Sequence, residues 1–413
     1  MAERITEEKK RVVITGIGVI SPNGIGKEVF WEALRTGKSG IKKITSFDAS
    51  SFPCQIAGEV TGRLPLDFME KKAVRRMARS SQFAVAATQM AMVDAGFNSI
   101  IPEPIRSSVT LGISSSAIDV IEKDFAIFLK KGHLAISPYG ILAVSPHAAV
   151  SEIVKLLNHP GSGETLGNDC TAGLDAIGLT YLRIRSGEIS LGICGGVDAP
   201  ISPLLWGWFC QGGLVPPVAD NPEGASRPFD LKRTVGIISE GAAVFILEEM
   251  AQALYRRAAI YGEIIGFGNN SENCLDEGLR KSMEKAILQA LISFSEIDYI
   301  SAHGPSHCLI DKIETDAIKK LFGQEAYRIP VSSIKSMIGN PLAAGGPLQV
   351  AALPLSFQKG LIPPTINYRY PDPACDLDYI PNKPRYNEVK VALVNSHGIG
   401  GGNSSLLIKK CRI

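Results

Sequence analysis

Gly167-Asn168-Asp169-Cys170-Thr171-Ala172-Gly173 is a polar turn that runs directly into an apolar helical stretch, Leu174 to Ile184. A thiol at that point faces the unpaired N–H groups of a helix start and the positive end of its dipole. Both favour the thiolate. Thr171, Ala172 and Gly173 are small enough to let a substrate reach the sulfur. The same turn also suits a plain buried cysteine, which packs as a small hydrophobe. The two readings separate only downstream, at His303 and Asn340.

Outward from this turn the chain alternates strands and helices. Strands are expected over Arg11 to Ile17, Ser108 to Ile113, Ile189 to Cys194 (ending in Gly195-Gly196) and Ala242 to Leu247. Helices are expected over Glu28 to Leu34, Ser80 to Ala95 and His147 to Leu157. The order then repeats. Strands fall over Glu263 to Phe267, Tyr299 to Ala302, Ile329 to Ser332, Val389 to Asn395 and Ser404 to Lys409. Helices fall over Glu277 to Ile292, Ile313 to Phe322 and Leu348 to Phe357. This is the grammar of an α/β protein with mixed sheets buried between helices. It divides the chain into residues 1–260, which carry the cysteine, and 261–413, which carry His303, Asn340 and a Gly-rich loop. No low-complexity linker separates them, so the halves are expected to pack as one body.

Composition narrows the function classes. With 45% hydrophobic and 20% charged residues, the chain has the makings of a packed core rather than a disordered one. A formal charge of +2 lacks the basic surplus of a nucleic-acid binder. Met1 to Arg11 is charged and has no apolar stretch of signal-peptide type, and no run is long enough to span a bilayer. The eight cysteines, at 54, 170, 194, 210, 274, 308, 375 and 411, form no CxxC pairs. A reducing cytoplasm is expected, without membrane insertion.

Two ligand motifs fail on inspection. Gly16-Ile17-Gly18 follows a strand, but the third glycine of a dinucleotide loop is absent and residue 38 is Lys, not an acid. His303 and His307 stand four apart beside Cys308, yet Pro305 opposes the continuous helix that such zinc spacing needs. No metal is expected.

Three strand ends carry polar or glycine-rich loops: Ser301-Ala302-His303-Gly304, Lys335-Ser336-Met337-Ile338-Gly339-Asn340, and Asn395-Ser396-His397-Gly398-Ile399-Gly400-Gly401-Gly402-Asn403. Sites gather at such ends in α/β folds. A Cys, a His and an Asn make a nucleophilic set of thiolate, imidazole and amide donor to an oxyanion. Together with Val12-Val13-Ile14-Thr15-Gly16-Ile17-Gly18, Ser226-Arg227-Pro228-Phe229-Asp230, Glu240-Gly241-Ala242, Pro363-Pro364-Thr365-Ile366-Asn367 and Cys375-Asp376-Leu377-Asp378, these segments resemble the elongating type II β-ketoacyl-acyl-carrier-protein synthases of the thiolase superfamily. The matches run in order through nearly the whole chain.

The resemblance implies a thiolase-like five-layered αβαβα fold of two duplicated halves, working as a homodimer or as a heterodimer with a related subunit. It implies that Cys170 carries an acyl chain and that His303 polarises the thioester carbonyl of malonyl-carrier protein. Loss of CO2 then gives an enolate that attacks the acyl-Cys170 thioester, in fatty-acid or polyketide-type biosynthesis. Lys335 completes the catalytic set with Asn340, and backbone N–H groups of Cys170 and Ile399 form the oxyanion hole. His397, Ile399 and Phe209 belong to the pocket and its gate. No cofactor is implied, because substrates arrive on the phosphopantetheine arm of an acyl carrier protein. Lys71, Lys72, Arg75, Arg76 and Arg79 recur at helical spacing. They read as a solvated basic face or as the patch that meets the acidic carrier.

The sequence also departs from that family. Asn340 stands where the elongating enzymes have a second histidine; an amide donates a hydrogen bond but carries no proton at neutral pH. Gly304-Pro305-Ser306-His307 replaces the Gly-Thr-x-Thr run whose hydroxyls hold the carrier arm, and Gln349 replaces the glutamate partner of Lys335. His397 is expected beside Cys170, as a bonded histidine of a crowded loop or as the imidazole that Asn340 lacks. Two further functions remain open beside condensation. One is acyl transfer or thioester hydrolysis without decarboxylation. The other is a non-catalytic, chain-length-factor-like partner subunit, a role that the presence of Cys170 weighs against.

Overall fold

The computed structural model describes residues 9–62, 68–97, 101, 105–158, 161–218, 220–272 and 275–411. Residues 1–8 of the charged N-terminal segment and Cys274 lie outside the described residues. The first half lays down strands β1 (Val12–Ser21), β2 (Ser107–Ile113), β3 (Ser162–Leu166), β4 (Leu191–Asp198) and β5 (Gly241–Glu249). The second half lays down β6 (Gly262–Ser271), β7 (Tyr299–Ser301), β8 (Val331–Ser332), β9 (Val391–His397) and β10 (Gly402–Lys409). Between them run helices α1 (Arg79–Asp94), α2 (Ala148–Leu156), α3 (Ala172–Arg185), α4 (Leu275–Ala290), α5 (Cys308–Phe322) and α6 (Gly345–Lys359).

Each half follows the same path. In the first, the order is β3-β2-β4-β5-β1; in the second it is β8-β7-β9-β10-β6. The pairing directions match as well. The β2 strand is parallel to β3 and β4, and β5 is antiparallel to β4 and β1. Correspondingly, β7 is parallel to β8 and β9, and β10 is antiparallel to β9 and β6. The two series join where Val12–Ile14 of β1 pairs antiparallel with Ile264–Gly262 of β6.

Helices α3 and α6 lie between the two series. The α3 helix packs on β2 and β4 of its own half and on β6 and β10 of the other, while α6 contacts β9, β5 and α3. Outside them, α1 and α2 cover the first series and α4 covers the second, with α5 packed beside α4 in the same apolar cluster. The result is the five-layered thiolase architecture, with helix, sheet, helix, sheet and helix stacked in turn. A helix enclosed on all sides must be apolar all round. Accordingly, Leu348, Val350, Ala351, Leu353, Leu355 and Phe357 of α6 are all buried, each Leu or Phe contributing about 1.5–3 kcal/mol.

This enclosure fixes Gly173. A Cβ there would stand 2.1 Å from the Ala343 carbonyl oxygen, a backbone atom that cannot swing aside. Gly173→Ala is therefore expected to lower the thermal midpoint, with a stability loss of about 1–3 kcal/mol from overpacking. An unchanged midpoint would contradict this close packing.

Some elements differ from expectation. The β4 strand continues through Gly195-Gly196 to Asp198 instead of ending there, because both glycines sit flat against Ala243 and Ala343 backbone that a side chain would strike. Helices Ile118–Lys131 and Pro203–Gln211 and the edge strand β3 were not anticipated from periodicity. No helix among the described residues is long and apolar enough to cross a membrane.

Candidate active site

The duplicated topology places the sequence candidates on equivalent ends. Cys170 precedes α3, Asn340 precedes α6, and His397 closes β9 as Asp198 closes β4. Cys170, His303, Asn340, His397 and Ile399 line one pocket with Leu214, Gly236, Ile238, Pro305, His307, Ile310 and Leu342. Its cavity of about 70 Å3 holds roughly two waters. A long acyl chain must therefore displace part of the wall, where Ile399 stands 69% exposed at the loop tip.

Local hydrogen bonds hold Cys170 in place. Asp169 adopts the left-handed conformation at φ 51, which turns the chain sharply before the sulfur. Thr171 Oγ1 and N both donate to Asn168 O, at 2.8 and 3.2 Å, and Asn168 Nδ2 donates to Asp175 Oδ2 at 3.1 Å. Across the gap between halves, Ser396 Oγ donates to the Cys170 carbonyl at 2.9 Å. A Cβ on Gly398 would lie 3.8 Å from the Cys170 N. The Gly398-Ile399 peptide thus borders the backbone N–H of Cys170, and neither the Cys170 nor the Ile399 N–H enters the fold's backbone hydrogen bonds.

The expected thiolate is not the resting state. Burial pushes the Cys170 thiol up to about 12, with the Asp198 carboxylate adding to the rise. Lys335 and the residue's own N–H oppose it without cancelling it. The helix start eases ionisation only partly, because Cys170 is almost wholly buried.

His303 follows β7, and its placement depends on a carboxylate that sequence reasoning missed. Glu314, on α5, accepts the backbone N–H of His303 at 2.9 Å and of Gly304 at 2.8 Å, and Asn395 Nδ2 at 3.1 Å. Burial raises the Glu314 carboxyl, and these three donors together with Lys335 pull it back. The His303 imidazole is held well below its ordinary pKa by burial, then by Lys335 and His397. Its ring stands edge-on to that of His397, with centroids 6.2 Å apart.

Lys335 is wholly enclosed. Its Nζ donates to Gln349 Oε1 at 2.9 Å, and burial brings it down to about 8 against the opposing pull of Glu314. Gln349 Nε2 in turn donates to Ser301 O at 2.9 Å and Ala302 O at 2.8 Å. The amide at 349 thus ties Lys335 to the strand end that presents His303; a carboxylate there would face those carbonyls with lone pairs only. Asp198 was also missed. It accepts from Ser115 N and Oγ, at 2.7 and 2.6 Å, and from Ala343 N at 2.8 Å, and burial lifts it to about 6.

Two candidate assignments change. Phe209 does not line the pocket; it packs at 7% exposure against Trp206, centroids 6.2 Å apart, in the apolar cluster that also contains Cys170. Arg79 is not a free basic residue. Its guanidinium pairs with the buried Glu240 at 2.7 and 2.6 Å and donates to Val60 O at 2.8 Å, so it holds the fold. Lys71, Lys72, Arg75 and Arg76 remain exposed, on the one-turn helix Lys71–Val74 and the turn after it. Arg76 stacks on Tyr139 at 4.1 Å.

Comparison with known proteins agrees with this geometry. Residues 9–253 match the family model of the beta-ketoacyl synthase N-terminal domain, and residues 261–369 that of the C-terminal domain. The chain is 37% identical over 410 residues to the 3-oxoacyl-[acyl-carrier-protein] synthase 2 of Coxiella burnetii, covering 98% of this chain and 99% of that protein. It is 36% identical over 416 residues to the tetracenomycin polyketide synthase ketoacyl synthase alpha subunit of Streptomyces glaucescens, covering 97% of each. Among solved structures it superposes with a TM-score of 0.91 on the ishigamide ketosynthase/chain length factor, at 31% identity, covering 98% of this chain and 100% of that one. A type II polyketide synthase acyl-carrier protein in complex with its ketosynthase bound to the hexaketide gives 0.90 at 31% identity, with the same coverage. On its topology, its pocket and these matches along nearly its full length, the chain belongs to the β-ketoacyl synthase family.

Proposed function

We propose that the protein performs decarboxylative condensation of a carrier-bound malonyl thioester with an acyl chain held on Cys170, in fatty-acid or polyketide biosynthesis. The observation that supports this best is the convergence of Cys170, His303 and Asn340 on one pocket, with Lys335 and Glu314 enclosed behind His303. Cys170 attacks the acyl thioester, and the carrier thiol leaves. Malonyl thioester then loses CO2, its enolate carbon bonds to the acyl carbon, and the bond from that carbon to Cys170 sulfur breaks. Decarboxylation itself transfers no proton. It needs hydrogen-bond donors at the enolate oxygen, and an imidazole N–H from His303 with an amide N–H from Asn340 meets that need. Backbone N–H groups of Cys170 and Ile399 would hold the oxyanion during acyl transfer.

No cofactor is required, since the acyl groups arrive on the phosphopantetheine of an acyl carrier protein. Lys71, Lys72, Arg75 and Arg76 form the surface proposed for that acidic partner. Arg75→Glu/Arg76→Glu is expected to raise the KM for the carrier about tenfold and to flatten its salt dependence. A KM unchanged across salt concentrations would remove the patch from the reaction. The protein would act in the cytoplasm as a homodimer or beside a related subunit.

One observation favours acyl transfer or hydrolysis as the second reading. The Ser306 hydroxyl is buried and accepts Arg227 N at 2.9 Å, so it does not offer the carrier arm the contact that a threonine pair would. Mass spectrometry separates the readings. The protein is offered acyl-carrier protein and then malonyl-carrier protein. A Cys170 adduct followed by a β-ketoacyl product supports condensation. An adduct without chain growth supports transfer, and no adduct supports a non-catalytic subunit.

A further inference from the structure

Hydrogen bonds sort the pocket's polar side chains into donors and a single acceptor. His397 Nδ1 lies 2.9 Å from Asn403 Oδ1. The Asn403 amide cannot turn over, because its Nδ2 donates to Gly401 O at 3.0 Å and to Asn270 Oδ1 at 3.1 Å. Asn270 is fixed in turn by its Nδ2 donating to Gly278 O at 2.8 Å. An oxygen therefore faces His397, which must donate from Nδ1–H. The neutral ring keeps its lone pair at Nε2, on the pocket wall, and among the described residues the ring's hydrogen bond is the one at Nδ1.

The other two groups run the opposite way. His303 Nδ1 is sealed from solvent without a partner. An unmet buried N–H costs more than a bare lone pair, so the proton sits on Nε2, the nitrogen left for the pocket. Asn340 Oδ1 is likewise sealed and unpartnered, which turns its NH2 toward the cavity. Two donors and one basic nitrogen thus share the pocket with a thiol that is protonated at rest and with His307, whose Nδ1 accepts Leu309 N at 3.1 Å.

We infer that His397, fixed in one tautomer by the Asn270–Asn403 chain, is the base that takes the Cys170 proton during acyl loading. This rests on Cys170 being the acyl carrier. As sulfur bonds to the incoming carbonyl carbon, its proton passes to His397 Nε2. The bond from that carbon to the carrier's sulfur then breaks, and the departing thiolate takes the same proton from the imidazolium. Atoms and charge balance without another reactant. Burial lowers the His397 pKa, so the ring is neutral and able to accept a proton at pH 7. Around this centre stand His303, His307 and Lys335, with Asp169 and Asp198 acting on Cys170 and Glu314 acting on Lys335. Asn403 is a positioning residue.

Alkylation of Cys170 by iodoacetamide tests the base without any carrier. In the full chain the rate should rise through an imidazole-type titration below pH 7. In His397→Phe and His397→Gln it should lose that rise and fall roughly 10²-fold at pH 7. Asn403→Asp, which still accepts from Nδ1–H but sets a carboxylate beside the ring, should keep the imidazole-type rise and move it to higher pH. With carriers, His397→Gln should slow acylation by a similar factor while malonyl decarboxylation changes less than about threefold. An unchanged alkylation profile, or equal loss of acylation and decarboxylation, overturns the assignment. An imidazole-type alkylation profile in a protein that no acyl carrier acylates would leave the base standing and sink the ketosynthase reading.

Discussion

Cys170→Ala is expected to abolish the acyl adduct and to lower condensation by on the order of 10⁴-fold or more, since the covalent intermediate has no other holder. Six other cysteines are free among the described residues, but none lines this pocket. Cys54, Cys194 and Cys375 are buried in apolar clusters, where burial pushes the Cys54 and Cys375 thiols up to about 11 and the Cys194 thiol higher still. The variant should fold, because the side chain at 170 makes no hydrogen bond on which the turn depends; the Asn168, Thr171 and Ser396 contacts involve other groups or the Cys170 carbonyl. Intact-mass analysis after acyl-carrier treatment reads the adduct directly. A variant that still acquires one acyl group would move the nucleophile elsewhere. Malonyl decarboxylation in Cys170→Ala should persist at a measurable rate, because its donors belong to His303 and Asn340.

The repeating order of strands and helices was legible because buried strands and amphipathic helices carry their periods in the local sequence. The turn at Cys170 was legible for a similar reason: small and polar residues before an apolar run mark a helix start. What escaped were charges and hydrogen bonds whose partners lie far along the chain. Glu314 sits among Asp311, Lys312 and Asp316 and reads as one more helix-surface charge; only folding brings it to His303, Gly304 and Asn395. Arg79 looked like a continuation of a basic run because its partner Glu240 lies 161 residues away. The thiolate expected at Cys170 failed for the same reason, since the enclosing walls and Asp198 come from other segments. Asn403 had no reading of its own, although the tautomer of His397 hangs on it.

Glu314 carries the largest expected effect on stability. Three donors converge on its two oxygens, and its charge is the chief support for the enclosed Lys335 ammonium. Glu314→Ala strips all of these at once, and breaking a buried charge pair from one side costs about 3–5 kcal/mol. Glu314→Gln is no gentle substitute: it accepts at one oxygen only, and its NH2 would meet another N–H. The pH dependence identifies the cause. Lys335, at about 8 against an ordinary 10.5, makes the folded state bind fewer protons than the unfolded state between those values. Stability from this group therefore rises with pH across that window. Without the Glu314 charge the Lys335 pKa drops further, so the window should open at lower pH and the variant should recover part of its loss on moving from pH 7 to pH 9. Denaturation midpoints at the two pH values, for wild type and Glu314→Ala, read this difference. Equal losses at both would mean that the carboxylate holds the His303 strand end by hydrogen bonds alone, with no hold on the lysine behind it.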